Sequence, residues 1–287
     1  MSTIEISQTQ QAESEQYLER WNEARRTRER QRRDPDSYIS YASFQKLSAE
    51  RRRFDGIPGE WRLTPDGPEV NIAADETLEI DSQIVTGIRS FGPSKEREFR
   101  RVAKHGEVIL ELSRRGGQDL LRTLDPAYGG RQIVRYDHTP AYEPDSKWIV
   151  EGEFVPFEEL RPTEVPATIG DIVHVHPAVG EIVFQLGGAE HRLLLLARDT
   201  AQAQQPGTAF ATFTDGTSGT TTDPHGRSIE VEHQGNRGLV TVDFNFARNI
   251  QRPYTRFAPC PLAPLGNHLD VAVEAGEQLP VFKRLTI

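Results

Sequence analysis

The sequence predicts a mainly β protein, with two sandwich-like or barrel-like β domains preceded by one helix. Short apolar runs with period-two alternation recur along most of the 287 residues, and turn dipeptides such as Asp66-Gly67 and Gly116-Gly117 separate them. A string of short strands at this spacing is typical of sandwiches and barrels, whereas parallel α/β folds alternate strands with helices. The chain is longer than most single domains, which favours two domains.

A helix is predicted over residues 15–33. Tyr17, Leu18 and Trp21 follow one side of it at helical spacing, and Asp34-Pro35-Asp36 ends it, because proline cannot continue a helix. Its second half is rich in arginine interleaved with glutamate, and cations there suit the helix dipole. We interpret this cluster as a solvated helix end, with a patch for nucleic acid or an acidic partner as the alternative.

The strands are predicted in two groups that a stretch rich in proline, glycine and tyrosine separates. The first group comprises residues 60–64, 69–73, 77–80, 83–88, 107–113 and 118–123, and the second comprises residues 147–154, 170–176, 181–185, 191–197, 209–213, 228–233, 239–245 and 269–273. We therefore expect an N-terminal helical segment (1–50), a small β-sandwich-like domain (51–124), a connecting segment (125–146) and a C-terminal β-barrel or sandwich domain (147–287).

Composition limits the classes of partner and compartment. The formal net charge of −9 argues against nucleic acid, because that affinity comes mostly from lysine and arginine. No apolar run approaches the roughly 18 residues of a membrane span or forms the apolar core of a signal peptide, so no membrane partner and a cytoplasmic location are expected. With Cys260 as the single cysteine, an intramolecular disulfide and a cysteine zinc cluster are excluded.

Polar side chains alternate with apolar ones in the predicted strand 239–245. Val242 and Phe244 fall on one face, which is predicted to be core, and Asp243 and Asn245 fall on the other. A proline-rich loop follows directly. This combination makes the strand a candidate for one wall of a polar site.

The loop over residues 215–227 is the second candidate. Its small residues free backbone N–H groups to face an anion, and Arg227 can bind a carboxylate or phosphate with two hydrogen bonds. It lacks the lysine of a phosphate loop and precedes no helix, so no nucleotide fingerprint is present and no cofactor is predicted. Ser218, His225 and Asp243 could form a triad, but the GxSxG context is absent. The alternative is a hairpin loop whose hydroxyls are satisfied locally.

His174 and His176 form a third candidate, because imidazoles two residues apart project from the same face of a strand. Metal sites in β-barrels use this geometry, but a third ligand is needed. Candidates for that ligand are His191, His225, His233, Asp243 and Glu181. The alternative is a half-exposed strand with two polar side chains.

The C-terminal motifs resemble a known family. The residues that carry the resemblance are Asp215, Thr217-Ser218-Gly219, Gly226-Arg227, Asp243-Phe244-Asn245, Ala247, Asn249, Tyr254, Cys260-Pro261-Leu262, Pro264, Asn267, Leu269 and Ala275-Gly276-Glu277. Their order and spacing match the bacterial and archaeal family of unknown function numbered 1684, whose pattern includes DFNRAYNPPCAY, CPLPP and AGE. Weaker similarity extends over nearly the whole chain.

Five departures from that family pattern stand out. These are Asp223, Phe246, Arg248, Ile250 and Arg252, where the family has tyrosine, arginine, tyrosine, proline and cysteine. Such changes alter charge and hydrogen bonding, so a different or lost chemistry is expected here. In related proteins the N-terminal half resembles a forkhead-associated sandwich. The pattern for reading phosphothreonine is not recognisable in this chain, so phosphopeptide binding is not implied.

The leading hypothesis is a protein that binds a small polar or anionic molecule in its C-terminal β domain and acts on it without a redox cofactor. Asp243 would be the acid or base, Arg227 the anion anchor, and Asn245, Asn249 and Tyr254 the orienting donors. Ser218 and Asn267 complete the predicted ligand-binding set. The alternatives are a noncatalytic scaffold or interaction protein, and a metal-binding barrel built on the histidine pair. Enzymatic activity, substrate and oligomeric state stay open.

Overall fold

The computed structural model describes residues 8–203 and 205–284 and is mainly β, which confirms the predicted fold class. The long helix α1 spans Gln8–Arg32, so the predicted N-terminal helix is confirmed and extends further toward the N-terminus than its apolar stripe indicated. Two sheets form the N-terminal half, and one large sheet forms most of the C-terminal half. Within the described ranges no helix is both long enough and apolar enough to cross a membrane.

Two antiparallel sheets pack against each other in the N-terminal half. The strands are β1 Tyr41–Lys46, β2 Arg52–Phe54, β3 Ile57–Thr64, β4 Gly67–Ile72, β5 Leu78–Ile80, β6 Gln83–Val85, β7 Gly87–Ser90, β8 Phe99–His105, β9 Val108–Arg115 and β10 Gln118–Leu124. The larger sheet has the order β1-β10-β9-β8-β5-β6, and the smaller has the order β2-β3-β4-β7. Trp61 and Val70 of the smaller sheet share one buried cluster with Leu110 and Leu121 of the larger. The arrangement is therefore a sandwich.

Several strands were not predicted from the sequence, and β1 and β8 are the longest of them. β1 lies in the segment expected to be helical and pairs with β10, with Phe44 opposite Arg122. β8 has the sequence FRRVAKH, in which charged residues on the exposed face mask the alternation. Both strands are stabilised by pairing with neighbours rather than by an apolar pattern of their own.

A short helix, α2 (Pro126–Arg135), lies in the stretch expected to be a connection. The side chain of Asp125 caps it by accepting a hydrogen bond from the N–H of Ala127 at 2.8 Å, and Pro126 occupies the first helical position. Gly129 is required because a Cβ there would lie 2.0 Å from the Oγ of Ser40. Gly129 thus allows close contact between α2 and the turn at Tyr38–Ser40.

The C-terminal half consists of a large antiparallel sheet and its connections. Its elements are β11 Tyr136–His138, β12 Ile149–Pro166, β13 Val173–Leu186, β14 Ala189–Leu196, α3 Thr200–Ala203, β15 Gly207–Asp215, β16 Arg227–His233, β17 Gly238–Asp243, β18 Arg248–Asn249, β19 His268–Leu269 and β20 Val281–Phe282, with 3-10 turns at Tyr38–Ser40, Ser146–Trp148 and Phe244–Phe246. The strand order is β17-β12-β13-β14-β15-β16-β18. Because β17 and β18 end this order, the described strands do not close into a barrel.

A small interface joins the two halves. Leu120 of β10 packs with Ala167 and Ile172, which flank the turn before β13. The β9–β10 turn approaches so closely that a Cβ on Gly116, whose φ is +55°, would lie 2.2 Å from the carbonyl oxygen of Val173. Glycine is needed there for both its conformation and its size. The two halves are thereby held at a fixed distance beside β13.

Helix α1 packs across the C-terminal half through one buried aromatic residue. Trp21 is 3% exposed, and its Nε1–H donates to the carbonyl oxygen of Asn245 at 3.0 Å. Near the end of the helix, Arg32 donates to both carboxylate oxygens of Glu277 at 2.7 Å. The helix is polar over most of its surface, so these contacts decide where it binds.

We expect Trp21→Ala to release α1, because truncating a buried tryptophan costs about 3–5 kcal/mol. Hydrogen exchange of the α1 amides should accelerate, and chemical denaturation should show the loss. Leu18→Ala, one turn away at a side chain that is 42% exposed, serves as the control and should change stability by less than about 0.5 kcal/mol. Equal protection of α1 in both variants would contradict this account of its docking.

Candidate functional site

Asp243 lies where β17 ends and a 3-10 turn begins. Its carboxylate accepts hydrogen bonds from the backbone N–H of Asn245 at 3.1 Å and from the hydroxyl of Tyr17 at 2.9 Å. Burial and the neighbouring Asp243 carboxylate raise the pKa of Tyr17. The predicted strand 239–245 therefore stops at Asp243, because the aspartate side chain caps the turn that follows.

Asn245 is buried rather than facing an open pocket. Its side-chain amide donates to the carbonyl oxygen of Asp145 at 3.0 Å and accepts from the N–H of the same residue at 3.1 Å. Asp243, Asn245 and Tyr17 together join α1 to the start of the C-terminal sheet. The structure shows a positioning role for this group, and a catalytic role for Asp243 stays a prediction.

Arg227 is 1% exposed at the start of β16. Its guanidinium donates to the carboxylate of Asp215 at 2.7 Å, to the carbonyl oxygen of Val273 at 2.9 Å and to that of Ala275. The Oγ of Ser218 accepts a hydrogen bond from the N–H of Asp215 at 3.1 Å. Arg227 and Ser218, both predicted to bind ligand, thus hold the 215–227 loop and the C-terminal segment together.

Three further predicted residues also bind the chain itself. The amide of Asn249 donates to the hydroxyl of Tyr254 at 3.1 Å and to the carbonyl oxygen of Gln278 at 2.7 Å. Asn267 accepts from the N–H of Leu194 at 2.7 Å and donates to the carbonyl oxygen of Leu194 at 3.1 Å. The structure therefore brings Asn249 and Tyr254 into contact, while Asn267 ties a loop to β14.

A cleft of about 710 Å³ lies between α1, the N-terminal sandwich and the C-terminal sheet. Its most marked chemical property is the number of guanidinium groups. The arginines that line it are Arg28, Arg32, Arg97, Arg115, Arg122, Arg198 and Arg248. Of the predicted ligand-binding residues Asn249 lines it, as do both histidines of the alternative metal site. Asp199 contributes a carboxylate to the lining.

Most of these arginines have a carboxylate partner. The guanidinium of Arg122 binds Glu111, and both residues are buried on the face of the larger sheet that points away from the sandwich core. Arg198 and Arg248 share Glu230, with N–O distances of 2.8 and 2.6 Å. Glu111 therefore balances the charge of Arg122, and Glu230 balances one of the two charges of Arg198 and Arg248.

The two arginines from α1 share another carboxylate. Glu277 is 2% exposed and binds the Nε of Arg28 at 2.9 Å and the guanidinium of Arg32 at 2.7 Å. The same carboxylate accepts the N–H of Asn249 at 2.9 Å. One buried acid thus fixes the helical wall of the cleft against β18.

Arg97 and Arg115 differ from the others, because within the described residues neither forms an ion pair. Arg115 is 8% exposed, and its guanidinium carbon lies 3.8 Å from the ring centre of Phe99. Burial and the like charge of Arg122 lower the pKa of Arg115 to about 10. Arg115 therefore stays protonated at neutral pH at an energetic cost.

His174 and His176 both face this cleft, with ring centres 6.0 Å apart. The Nε2 of His174 donates to the carbonyl oxygen of Pro259 at 2.7 Å, and the Nδ1 of His176 lies 2.7 Å from the guanidinium of Arg97. The same Nδ1 lies 3.3 Å from the carbonyl oxygen of Ala197. The contact with Arg97 is the shorter of the two, and because arginine can only donate, this nitrogen of His176 accepts. Across the described part of the chain, no cluster of three or more His, Cys, Asp or Glu side chains could hold a metal ion.

Sequence reasoning missed the arginines of the N-terminal half. Glu111 and Arg122 could have been identified as a buried charged pair, since each is a charged residue inside an otherwise apolar run. Nothing in the sequence indicated that Arg97 and Arg115 line a site, because arginines in loops and at strand ends are usually exposed. Their position in the cleft depends on the packing of the two halves.

The protein belongs to the class of mainly antiparallel β proteins, and its cleft is lined by arginines. Comparison of its sequence with known families identifies the family. Residues 134–278 match the family described as a protein of unknown function, DUF1684. This match covers just over half of the chain, so the chain belongs to that family. No curated protein matches it.

One similar solved structure is the solution NMR structure of an uncharacterised protein from Haloarcula marismortui. It is 28% identical to this chain, the match covers 50% of this chain and 76% of that one, and the TM-score is 0.41.

We expect Arg227→Met to destabilise the fold by about 3–5 kcal/mol, because it leaves Asp215 buried without its partner. The double variant Arg227→Met/Asp215→Leu should recover part of the loss. Arg237→Met, which removes the exposed pair with Glu153, should cost less than about 1 kcal/mol in the same urea titrations. A double variant no more stable than the single one would argue against an uncompensated charge as the cause.

Acid should destabilise the protein through His176. Burial and the neighbouring Arg97 lower the pKa of His176 to about 4, so between that pH and about 6.5 the unfolded chain binds the extra proton. Folding stability should therefore fall as the pH drops through this window, by about 3 kcal/mol at its lower end.

His176→Asn keeps an acceptor for Arg97 and removes the titration, so its stability should fall less than that of the wild type between pH 7 and pH 4.5. His138→Asn, at an exposed histidine, is the matched control. Denaturant titrations across this range measure the difference. If the folding stability of the wild type and that of His176→Asn fell in parallel as the pH dropped, the attribution of the acid destabilisation to His176 would be wrong.

Proposed function

We propose that the protein binds a small anionic molecule in the cleft between its two halves. The observation that carries this proposal is the pair Arg97 and Arg115, which line the cleft and have no ion-pair partner among the described residues. Arg115 is buried and Arg97 is half-buried. A desolvated charge without a counter-ion is unfavourable, and a bound anion would supply that counter-ion.

The size and lining of the cleft support a small ligand. A volume of about 710 Å³ falls in the range typical of small-molecule sites. Phe99 and Phe210 add apolar surface beside the guanidinium groups, so an organic anion could bury its carbon atoms as well as its charge. Planar guanidinium groups also suit carboxylate and phosphate oxygens better than ammonium groups do.

The cleft chemistry favours binding over thiol catalysis. Cys260 lines the cleft, but burial raises the pKa of its thiol to about 11. Because the thiolate is the nucleophile, this cysteine is expected to be unreactive at neutral pH.

Removing an unpaired cation should have opposite effects on binding and on stability. Arg115→Gln should weaken binding of inorganic phosphate, citrate or phenyl phosphate at least tenfold, since a hydrogen bond to a charged group contributes about 1.5–3 kcal/mol. It should leave the free energy of unfolding unchanged or raise it, because it removes an uncompensated buried charge. Calorimetric titration and urea denaturation measure the two effects.

Arg89→Gln is the control, since Arg89 is an exposed residue on β7 and should alter neither quantity. Binding should weaken as salt increases. If none of the three anions binds the wild type at millimolar concentration, the proposed function is wrong, and the scaffold alternative is then favoured.

A further inference from the structure

The two unpaired arginines lie side by side at one end of the cleft. The backbone N–H of Arg97 donates to the carbonyl oxygen of Arg114 at 2.9 Å, which places Arg97 next to Arg115 at the end of β9. Arg115 stacks on Phe99, and Arg97 donates to His176. One of these two cations, Arg97, thus contacts a neutral imidazole of the other half.

Arg97 holds an unfavourable backbone conformation at this position. Its φ is +65°, in the left-handed region, and elsewhere in the described chain Asp81 and Ser82 are the other non-glycine residues with positive φ. Those two form the turn between β5 and β6, where such angles are common. Arg97 is itself the third residue of a turn, in which the N–H of Glu98 donates to the carbonyl oxygen of Lys95 at 3.1 Å, and glycine is the residue that such a position favours.

The charges at this end do not balance within the protein. Arg97, Arg115 and Arg122 contribute three positive charges, and Glu111 pairs directly with Arg122 alone. Two guanidinium groups therefore remain without a direct counter-ion. The neutral form of His176 adds no charge, but its Nε2 carries a proton and is a hydrogen-bond donor.

Glu96 is the nearest further acid, but its oxygens are engaged elsewhere. They accept hydrogen bonds from the N–H groups of Gly116 and Gly117 at 2.8 and 3.0 Å, in the β9–β10 turn. Asp199 lines the cleft and makes no ion pair with either arginine. These acids reduce the positive potential at this end without forming an ion pair with Arg97 or Arg115.

We propose that the anionic group bound between Arg97 and Arg115 is a dianion, namely the phosphoryl group of a small phosphate monoester. This inference rests on the proposed function and specifies its ligand class. A phosphate monoester carries up to two negative charges near neutral pH and several acceptor oxygens, so each guanidinium finds one charge and a fork of acceptors. A carboxylate or a sulfate monoester carries one charge and leaves one arginine unmatched.

Phenyl phosphate and phenyl sulfate provide the test, because they share shape and ring and differ by one charge. At pH 8 and low salt, calorimetric titration of the full chain should show phenyl phosphate binding at least tenfold more tightly. In Arg115→Gln one unpaired cation remains, so the ratio should fall to about threefold or less. Arg97→Gln should behave likewise, and Arg89→Gln should keep the wild-type ratio.

The outcomes separate this inference from the proposed function. Equal affinity of the wild type for both esters would contradict the inference that the ligand is a dianion, but it would leave the proposal of anion binding intact. An unchanged ratio in both Arg115→Gln and Arg97→Gln would show that other residues bind the phosphoryl group. Failure of both esters, of inorganic phosphate and of citrate to bind would remove the proposed function itself.

Discussion

The buried carboxylate of Glu277 determines how the parts of this protein fit together. It binds Arg28 and Arg32 of α1 and the backbone of Asn249 in β18, so one side chain fixes the helix to the C-terminal segment. A buried carboxylate with several charge-assisted donors is costly to disrupt. Because Arg28 and Arg32 also line the cleft, the same contact that docks the helix builds one wall of the proposed site.

The cleft concentrates positive charge in a protein whose formal net charge is −9. Acids inside the structure match most of its arginines, and the unmatched pair lies where the two halves meet. Such an arrangement lowers stability in the absence of a ligand and favours an anion that enters a partly desolvated space. The proposed ligand class therefore follows from the local charge distribution rather than from the net charge.

Two of the positions at which the chain departs from the pattern of its family, Arg248 and Ile250, line this cleft. A third, Phe246, instead packs edge-on against Tyr17, with ring centres 6.0 Å apart. The wall formed by β18 thus contains side chains that distinguish this protein. The ligand preference inferred from its charges is expected for this chain and need not extend to its relatives.

Local sequence patterns determined the mainly β class, the N-terminal helix with Trp21 on its buried side, and the burial of Val242 and Phe244, because periodicity directly reports which face of an element is apolar. Only the tertiary structure showed which residues lie together in the candidate site. Asp243 accepts a hydrogen bond from a tyrosine more than 200 positions away, and Arg97 donates to His176 of the other half. Hydrogen-bond partners and charge balance depend on contacts distant in sequence, which local periodicity does not encode.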